Sequence, residues 1–250
     1  METTTIRRAA VLLAGAALAA TVLTPGAASA AEPAGTVTSA VEPPADFRDC
    51  PQLPAGADPA RWRCEVHVAA PRLTLGTVHD LELAPMMLTF AEGPLPDGRP
   101  GQVWGALRSA PTAVPGGVTG NPGGDRSAVL GMSIRPEYGG RSDFYTGEFS
   151  LRFRLDGPLL PPGCTVGGGR DGGTAPIDLR LKRSGPSERV SVDPPLIRYA
   201  TYDDTFAAAA TDGCGPLGHL LDARLGLPAP TGNLIANQAA YTFRTYDRLG

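Results

Sequence analysis

Lysine is all but missing from this chain: Lys182 stands alone among 22 lysine and arginine residues. A penicillin-recognising Ser-x-x-Lys site is thereby excluded, because Leu179 occupies the position three before Lys182. The arginine bias, alongside abundant Ala, Gly and Pro, points to a GC-rich coding genome rather than to an arginine-dependent site. Aromatic residues make up only 6% of the 250 positions, too few to suggest a ring-lined sugar cleft. Histidine occurs three times, at His67, His79 and His219, in neither a His-Glu-x-x-His helix pattern nor a His-x-His strand pair. No Cys-x-x-Cys pair exists either, so zinc spacings are lacking. No metal and no cofactor is predicted. The main apolar run, Ala9 to Leu23, is shorter than the roughly 20 residues a spanning helix needs.

That run makes sense as part of an export signal. Arg7 and Arg8 precede it, Pro25-Gly26 breaks it, and the small residues Ala27-Ala28-Ser29-Ala30 follow, so cleavage is predicted between Ala30 and Ala31. Ile6 before the arginine pair and Ala9-Ala10 after it match a twin-arginine signal poorly, which favours the general secretory route. No cysteine lies near the cleavage point to carry a lipid anchor. The predicted location is secreted, extracellular, free or held non-covalently at the cell envelope, with no membrane span after cleavage. Loss of Glu2, Arg7 and Arg8 leaves 20 basic against 24 acidic residues, a net charge of −4. Such mild acidity gives no footprint for nucleic acid or anionic lipid.

All four cysteines, Cys50, Cys64, Cys164 and Cys214, lie in the exported part and read as two disulfides. Three pairings are open to four cysteines. Cys50 with Cys64 is the local choice, across a segment stiffened by Pro51, Pro54 and Pro59, and Cys164 with Cys214 then remains.

The 32 glycines and 26 prolines cluster between stretches that alternate apolar and polar residues, the mark of a folded chain with long loops. In Arg61 to Val68, Trp62, Cys64, Val66 and Val68 share one face and Arg63, Glu65 and His67 the other, predicting a half-buried strand with the cysteine inward. Further strands are predicted at Leu73 to Leu83, Met86 to Glu92, Gln102 to Ser109, Ala128 to Arg135, Phe149 to Asp156, Ile177 to Lys182, Arg189 to Val192, Leu196 to Thr201, Thr205 to Thr211 and Ala239 to Thr245. Charges on one face and aliphatic side chains on the other suit antiparallel sheets with one wet side. The period changes once: Leu217, Leu220, Leu221 and Leu225, with Pro216 before and Gly226 after, predict a short helix. The expected architecture is all-β, an antiparallel β-sandwich-like domain over 47–250 with one short helix near the C-terminus, behind a flexible lead over 31–46.

Catalytic chemistry is thin. His79-Asp80 are adjacent on a strand and so point to opposite faces; His67 and His219 read as ordinary surface or semi-buried histidines. Gly131-Met132-Ser133-Ile134-Arg135 lacks the second glycine of a nucleophile elbow and lies within a predicted strand. Gly167 to Gly173 lacks the Gly-Lys-Ser/Thr ending of a phosphate loop and reads as a connector. Asp203-Asp204 beside Tyr199 and Tyr202 is the most suggestive carboxylate cluster, equally compatible with a turn or a weak calcium site. Trp62 and Trp104 read as core.

The stretches Asp49-Cys50-Pro51 through Trp62-Arg63-Cys64-Glu65-Val66, Asp204-Thr205-Phe206-Ala207, Cys214-Gly215-Pro216-Leu217-Gly218, and Leu225-Gly226-Leu227-Pro228-Ala229-Pro230-Thr231-Gly232-Asn233 resemble a family of exported actinobacterial (Streptomyces-like) proteins of no assigned function. The resemblance implies a secreted, disulfide-bonded, β-rich domain and brings no activity, cofactor or catalytic residue. A second asparagine of the family's Gly-Asn stretch is Leu234 here.

The predicted role is a binding or structural module, acting through surface loops such as Leu95 to Pro100 or Thr112 to Arg126, with an envelope polymer or an extracellular protein as partner. The alternatives are an extracellular hydrolase of polysaccharide or peptide bonds, using scattered residues such as Asp203, Asp204, His79 or Ser133, and a protease inhibitor presenting the Cys50 to Cys64 loop.

Overall fold

A computed structural model describes residues 43, 46–168 and 174–249. The predicted export signal, its Ala30–Ala31 cleavage point and most of the predicted flexible lead lie outside them, as do residues 169–173 of the glycine-rich connector.

Ser39–Gly250 is one compact unit. In chain order its strands are Arg63–Leu75 (β1), Val78–Glu82 (β2), Met86–Pro94 (β3), Pro100–Ser109 (β4), Thr112–Ala113 (β5), Ser133–Asp143 (β6) and Glu148–Asp156 (β7). Thr165–Val166 (β8), Ile177–Arg180 (β9), Lys182–Arg183 (β10), Glu188–Val192 (β11), Pro195–Asp203 (β12) and Thr211–Asp212 (β13) follow, then the helix Gly218–Leu225 (α1) and Leu234–Thr245 (β14). All pairings are antiparallel and form two sheets. The first runs β10-β12-β14-β1-β3-β4, with β2 on β1 and β11 on β12; the second runs β13-β8-β7-β6-β5, with β9 also on β7. Leu73, Leu88 and Ile235 of the first sheet meet Phe149, Leu151, Phe153 and Leu179 of the second in one core, giving the expected all-β sandwich.

Several predicted strands are corrected. Leu73 to Leu83 is no single strand: the chain reverses at Gly76-Thr77, and Gly76 adopts φ +54° where α1's end presses against it. Ala128 to Arg135 becomes strand only from Ser133, because Ser127 Oγ accepts from the Leu130 amide (3.0 Å) and holds the preceding residues in a turn. Thr205 to Thr211 is no continuous strand: Ala208 makes an isolated bridge to Ala229, and only Thr211 enters a strand, β13, where it pairs with Val166. Ile177 to Lys182 splits at Leu181, whose amide donates to the Gly147 carbonyl (2.9 Å), so that β9 joins one sheet and β10 the other.

The predicted helix is present, but of its four patterned leucines only Leu221 and Leu225 are buried, Leu220 is exposed and Leu217 precedes the helix; Gly226 closes it at φ 64°. Both predicted cysteine pairs are bonded, Cys50–Cys64 and Cys164–Cys214. Among the described residues no helix is long and apolar enough to cross a membrane.

Candidate functional site

Strand β1 lies between β3 and β14, and it is buried on both faces through Cys64–Val68. Its even residues face outward, yet Cys64 is covered there by the segment it is bonded to. That segment is tied down by Tyr246 Oη donating to the Pro51 carbonyl (2.7 Å) and by Arg108 pairing with Asp49. The odd residues, Arg63, Glu65 and His67, point between the sheets. The expectation of a wet face here is therefore reversed, and His67, read as an ordinary surface or semi-buried histidine, is 6% exposed within a built cluster. Glu65 is 3% exposed.

Isolated, a buried carboxylate would cost several kcal/mol, so its partners decide whether it can stay charged. Glu65 Oε2 lies 2.9 Å from His67 Nε2, and Glu65 Oε1 lies 2.5 Å from Arg63 Nε. His67 Nδ1 is 2.6 Å from Tyr199 Oη on β12. His67 thus bridges Glu65 Oε2 and the Tyr199 hydroxyl through its two ring nitrogens, one hydrogen bond on each. Arg63 also pairs with Glu92, its cross-strand neighbour on β3. Burial pushes the Glu65 carboxyl up, but the His67 hydrogen bond and charge and the Arg63 guanidinium outweigh it and hold the carboxyl below its ordinary range. Glu92 goes the other way, raised by burial and by the charge on Glu65. Burial also raises the Tyr199 and Tyr241 phenols.

Beside this cluster lies a cavity of 430 Å³ between the sheets, within the size range of small-molecule sites. Met86, Leu88, Leu151, Leu179 and Ile235 give it an aliphatic side. Rings line the rest: Phe90 stacks on Phe144 (3.8 Å), and His67 stacks on Tyr241 (4.6 Å). The turn joining β6 and β7 carries Phe144 into place. Its amide donates to Gln102 Oε1 on β4 (3.1 Å), and Gly147, at φ 77°, lets the turn approach Leu181, where a Cβ would meet the carbonyl oxygen at 2.5 Å. Asn237 on β14 completes the lining. It is 6% exposed, its Nδ2 donates to Thr201 Oγ1 (3.3 Å), and its Oδ1 is buried with no hydrogen-bond partner. A buried acceptor left unpaired costs about 1–3 kcal/mol, a cost that a ligand donor in the cavity would remove.

The residues singled out from sequence do not converge on this cavity. Asp203 is buried as a structural group: its carboxylate accepts from the Arg180 amide (2.5 Å) and from the Thr205 amide and hydroxyl (both 2.7 Å). Asp204 points to an exposed pair with Lys182 (3.0 Å). His79 and His219 are exposed, and Ser133 Oγ donates to the Asp156 carbonyl (3.4 Å). Asp80 pairs with Arg72, not His79. Trp62 is fully buried with its indole N–H on the Pro94 carbonyl (2.8 Å), and Trp104 stacks on Tyr138 (3.9 Å). Neither loop favoured for binding lines the cavity: Leu95 to Pro100 contains the β3–β4 turn, while Val114 and Val118 anchor the other loop in the core.

Tyr199 was noted only as a neighbour of Asp203-Asp204, and Asn237 and Glu92 were missed. The available signal was Arg63-x-Glu65-x-His67, three ionisable residues alternating in a strand whose opposite face is wholly apolar. No protein-family model, curated protein or solved structure matches this chain.

Proposed function

We propose that this protein is an exported binding module whose ligand site is the cavity between its sheets. One observation carries the reading: a partly open, ring-lined space is bordered by a buried, hydrogen-bonded Glu65–His67–Tyr199 chain and by two buried acceptors without a hydrogen-bond partner, Glu65 Oε1 and Asn237 Oδ1. Rigid polar groups set among apolar walls are what fixes the orientation of a small ligand. Export rests on the Arg7-Arg8, apolar and small-residue order of the first thirty residues, and two disulfides fit an oxidising compartment. The implied setting is extracellular, with or without envelope association, as the resemblance to exported actinobacterial proteins also suggests.

A hydrolase is the second reading, favoured by the opposed shifts of Glu65 and Glu92, since paired groups with separated pKa values mark acid/base assignments. Against it, both imidazole nitrogens of His67 are already engaged.

Native mass spectrometry of the oxidised protein, incubated with the small-molecule fraction of culture supernatant and envelope extract, tests the binding reading. A saturable mass adduct is expected on the wild type and not on Ala239→Leu, which fills the cavity. An adduct retained by that variant, or none at all, would overturn it. Released substrate fragments whose formation stops in Glu92→Gln would establish the hydrolase instead.

A further inference from the structure

Two features of the lining agree on the charge of what the cavity takes and a third on its hydrogen-bonding, granted that the cavity is the ligand site. Charge comes first. Arg63 and Arg183 are outnumbered by Glu65, Glu92, Asp143 and Glu148, a formal excess of two negative charges among these arginines and carboxylates. Arg63 is already held between two of those carboxylates, so it is not free to receive an anion. Low-dielectric walls of one net sign concentrate ligands of the other.

Rings come second. In a chain with 7 Phe, 2 Trp and 6 Tyr, six of those residues (Phe90, Phe144, Tyr145, Phe149, Tyr199 and Tyr241) line this one cavity. Their π-faces attract a cation and repel an anion. The third feature is the unpaired atom. Asn237 Oδ1, on a side chain more than nine-tenths buried, is an acceptor and calls for an N–H or O–H donor.

We propose that the cavity binds a small organic amine in its protonated form, with its ammonium N–H directed at Asn237 Oδ1 and its apolar body among the rings. A carboxylate or phosphate ligand would meet acceptors and π-faces, with Arg183, bonded to Ser187 and set over the Tyr199 ring, as the one arginine of the lining not held by a carboxylate. An uncharged alcohol would satisfy Asn237 but gain nothing from the excess charge.

Calorimetric titration of the oxidised, full-length protein with three probes of one shape separates these cases: phenethylamine, 2-phenylethanol and phenylacetate. The amine is expected to bind about tenfold or more tighter than the alcohol, with phenylacetate weakest. Asn237→Asp places a carboxylate where the amide oxygen stands and is expected to tighten the amine about tenfold while leaving the alcohol unimproved. A flipped amide would present a donor instead, and Asn237→Asp would then weaken the amine and overturn the assignment. Ala239→Leu is expected to abolish binding; should it fail to fold, Thr201→Phe, at a partly exposed position of β12, fills the same space.

The outcomes are distinguishable. If the alcohol or phenylacetate binds as tightly as the amine, and the filling variant removes that binding, the cavity remains the ligand site and the amine class falls. If no probe binds a protein shown folded by circular dichroism, or if binding survives the filling variant, the amine proposal and the cavity reading fall together.

Discussion

A polar side chain inside a protein is tolerated in proportion to how fully it is paired, and Asp203 and Glu65 show two ways of meeting that condition. Asp203 ends β12 and serves mainly backbone: three donors, the Arg180 amide at the end of β9 and the amide and hydroxyl of Thr205, converge on its two oxygens. Asp203→Ala is expected to cost about 2–4 kcal/mol in urea unfolding, and a loss below about 0.5 kcal/mol would contradict a structural role. Glu65 serves side chains, and its effect depends on pH. A carboxyl held below its ordinary range contributes stability that is present above the unfolded value near pH 4 and is lost as pH falls through the folded one. Wild type should therefore lose Tm more steeply than Glu65→Gln on acidification below about pH 4. Glu92, shifted upward, has the opposite sign: protonation favours the fold, and that contribution is lost as pH rises through its raised value. Glu92→Gln should flatten that decline. Both carboxylates were visible in the sequence as strand residues; which of them was interior was not.

At the scale of elements, the helix and its stop were readable because Pro216, the leucine spacing and Gly226 act within one short stretch. The hairpin of β1 and β2 was not, because the reason for its turn lies 149 residues further on, at Leu225. Gly76 sits against the end of α1, where a Cβ would meet the Leu225 carbonyl oxygen at 2.0 Å, and the Thr77 amide donates to that same oxygen (2.9 Å). Gly76→Ala is expected to destabilise by more than about 2 kcal/mol, from positive φ and overpacking together. Gly98→Ala, at φ +85° in open space, should cost only about 1 kcal/mol. Equal losses in thermal unfolding would show that the helix contact does not constrain the turn. The switch from β9 to β10 at Leu181 is another decision taken elsewhere: Ile177, Leu179 and Leu181 alternate without interruption, and only the neighbouring Gly147 and Tyr202 assign the two ends to different sheets.

For the whole molecule, the disulfides join segments that the sheets alone leave loosely connected. Cys164–Cys214 spans 50 residues and Cys50–Cys64 spans 14. In the chain-entropy account these are worth about 4 and about 3 kcal/mol. Replacing Cys164 and Cys214 by serine should therefore lower stability more than replacing Cys50 and Cys64, with guanidinium unfolding as the measure. The reverse order would mean that Cys50–Cys64 acts mainly by holding its segment over the outer face of β1.

Local pattern alone decided that this chain forms short antiparallel strands with one late helix, and the distribution of its cysteines was enough to suggest the pairing. Period-two alternation tells which residues share a face. It does not say which face is covered, since that depends on segments packed from distant parts of the chain. Strand β1 is the case in point: the segment bonded through Cys50 covers one side and the second sheet covers the other, so Arg63, Glu65 and His67 became the wall of a cavity instead of a wet surface. Tyr199, Asn237 and Phe144 join them from β12, β14 and the β6–β7 turn, positions that only the tertiary arrangement brings within hydrogen-bonding or stacking distance.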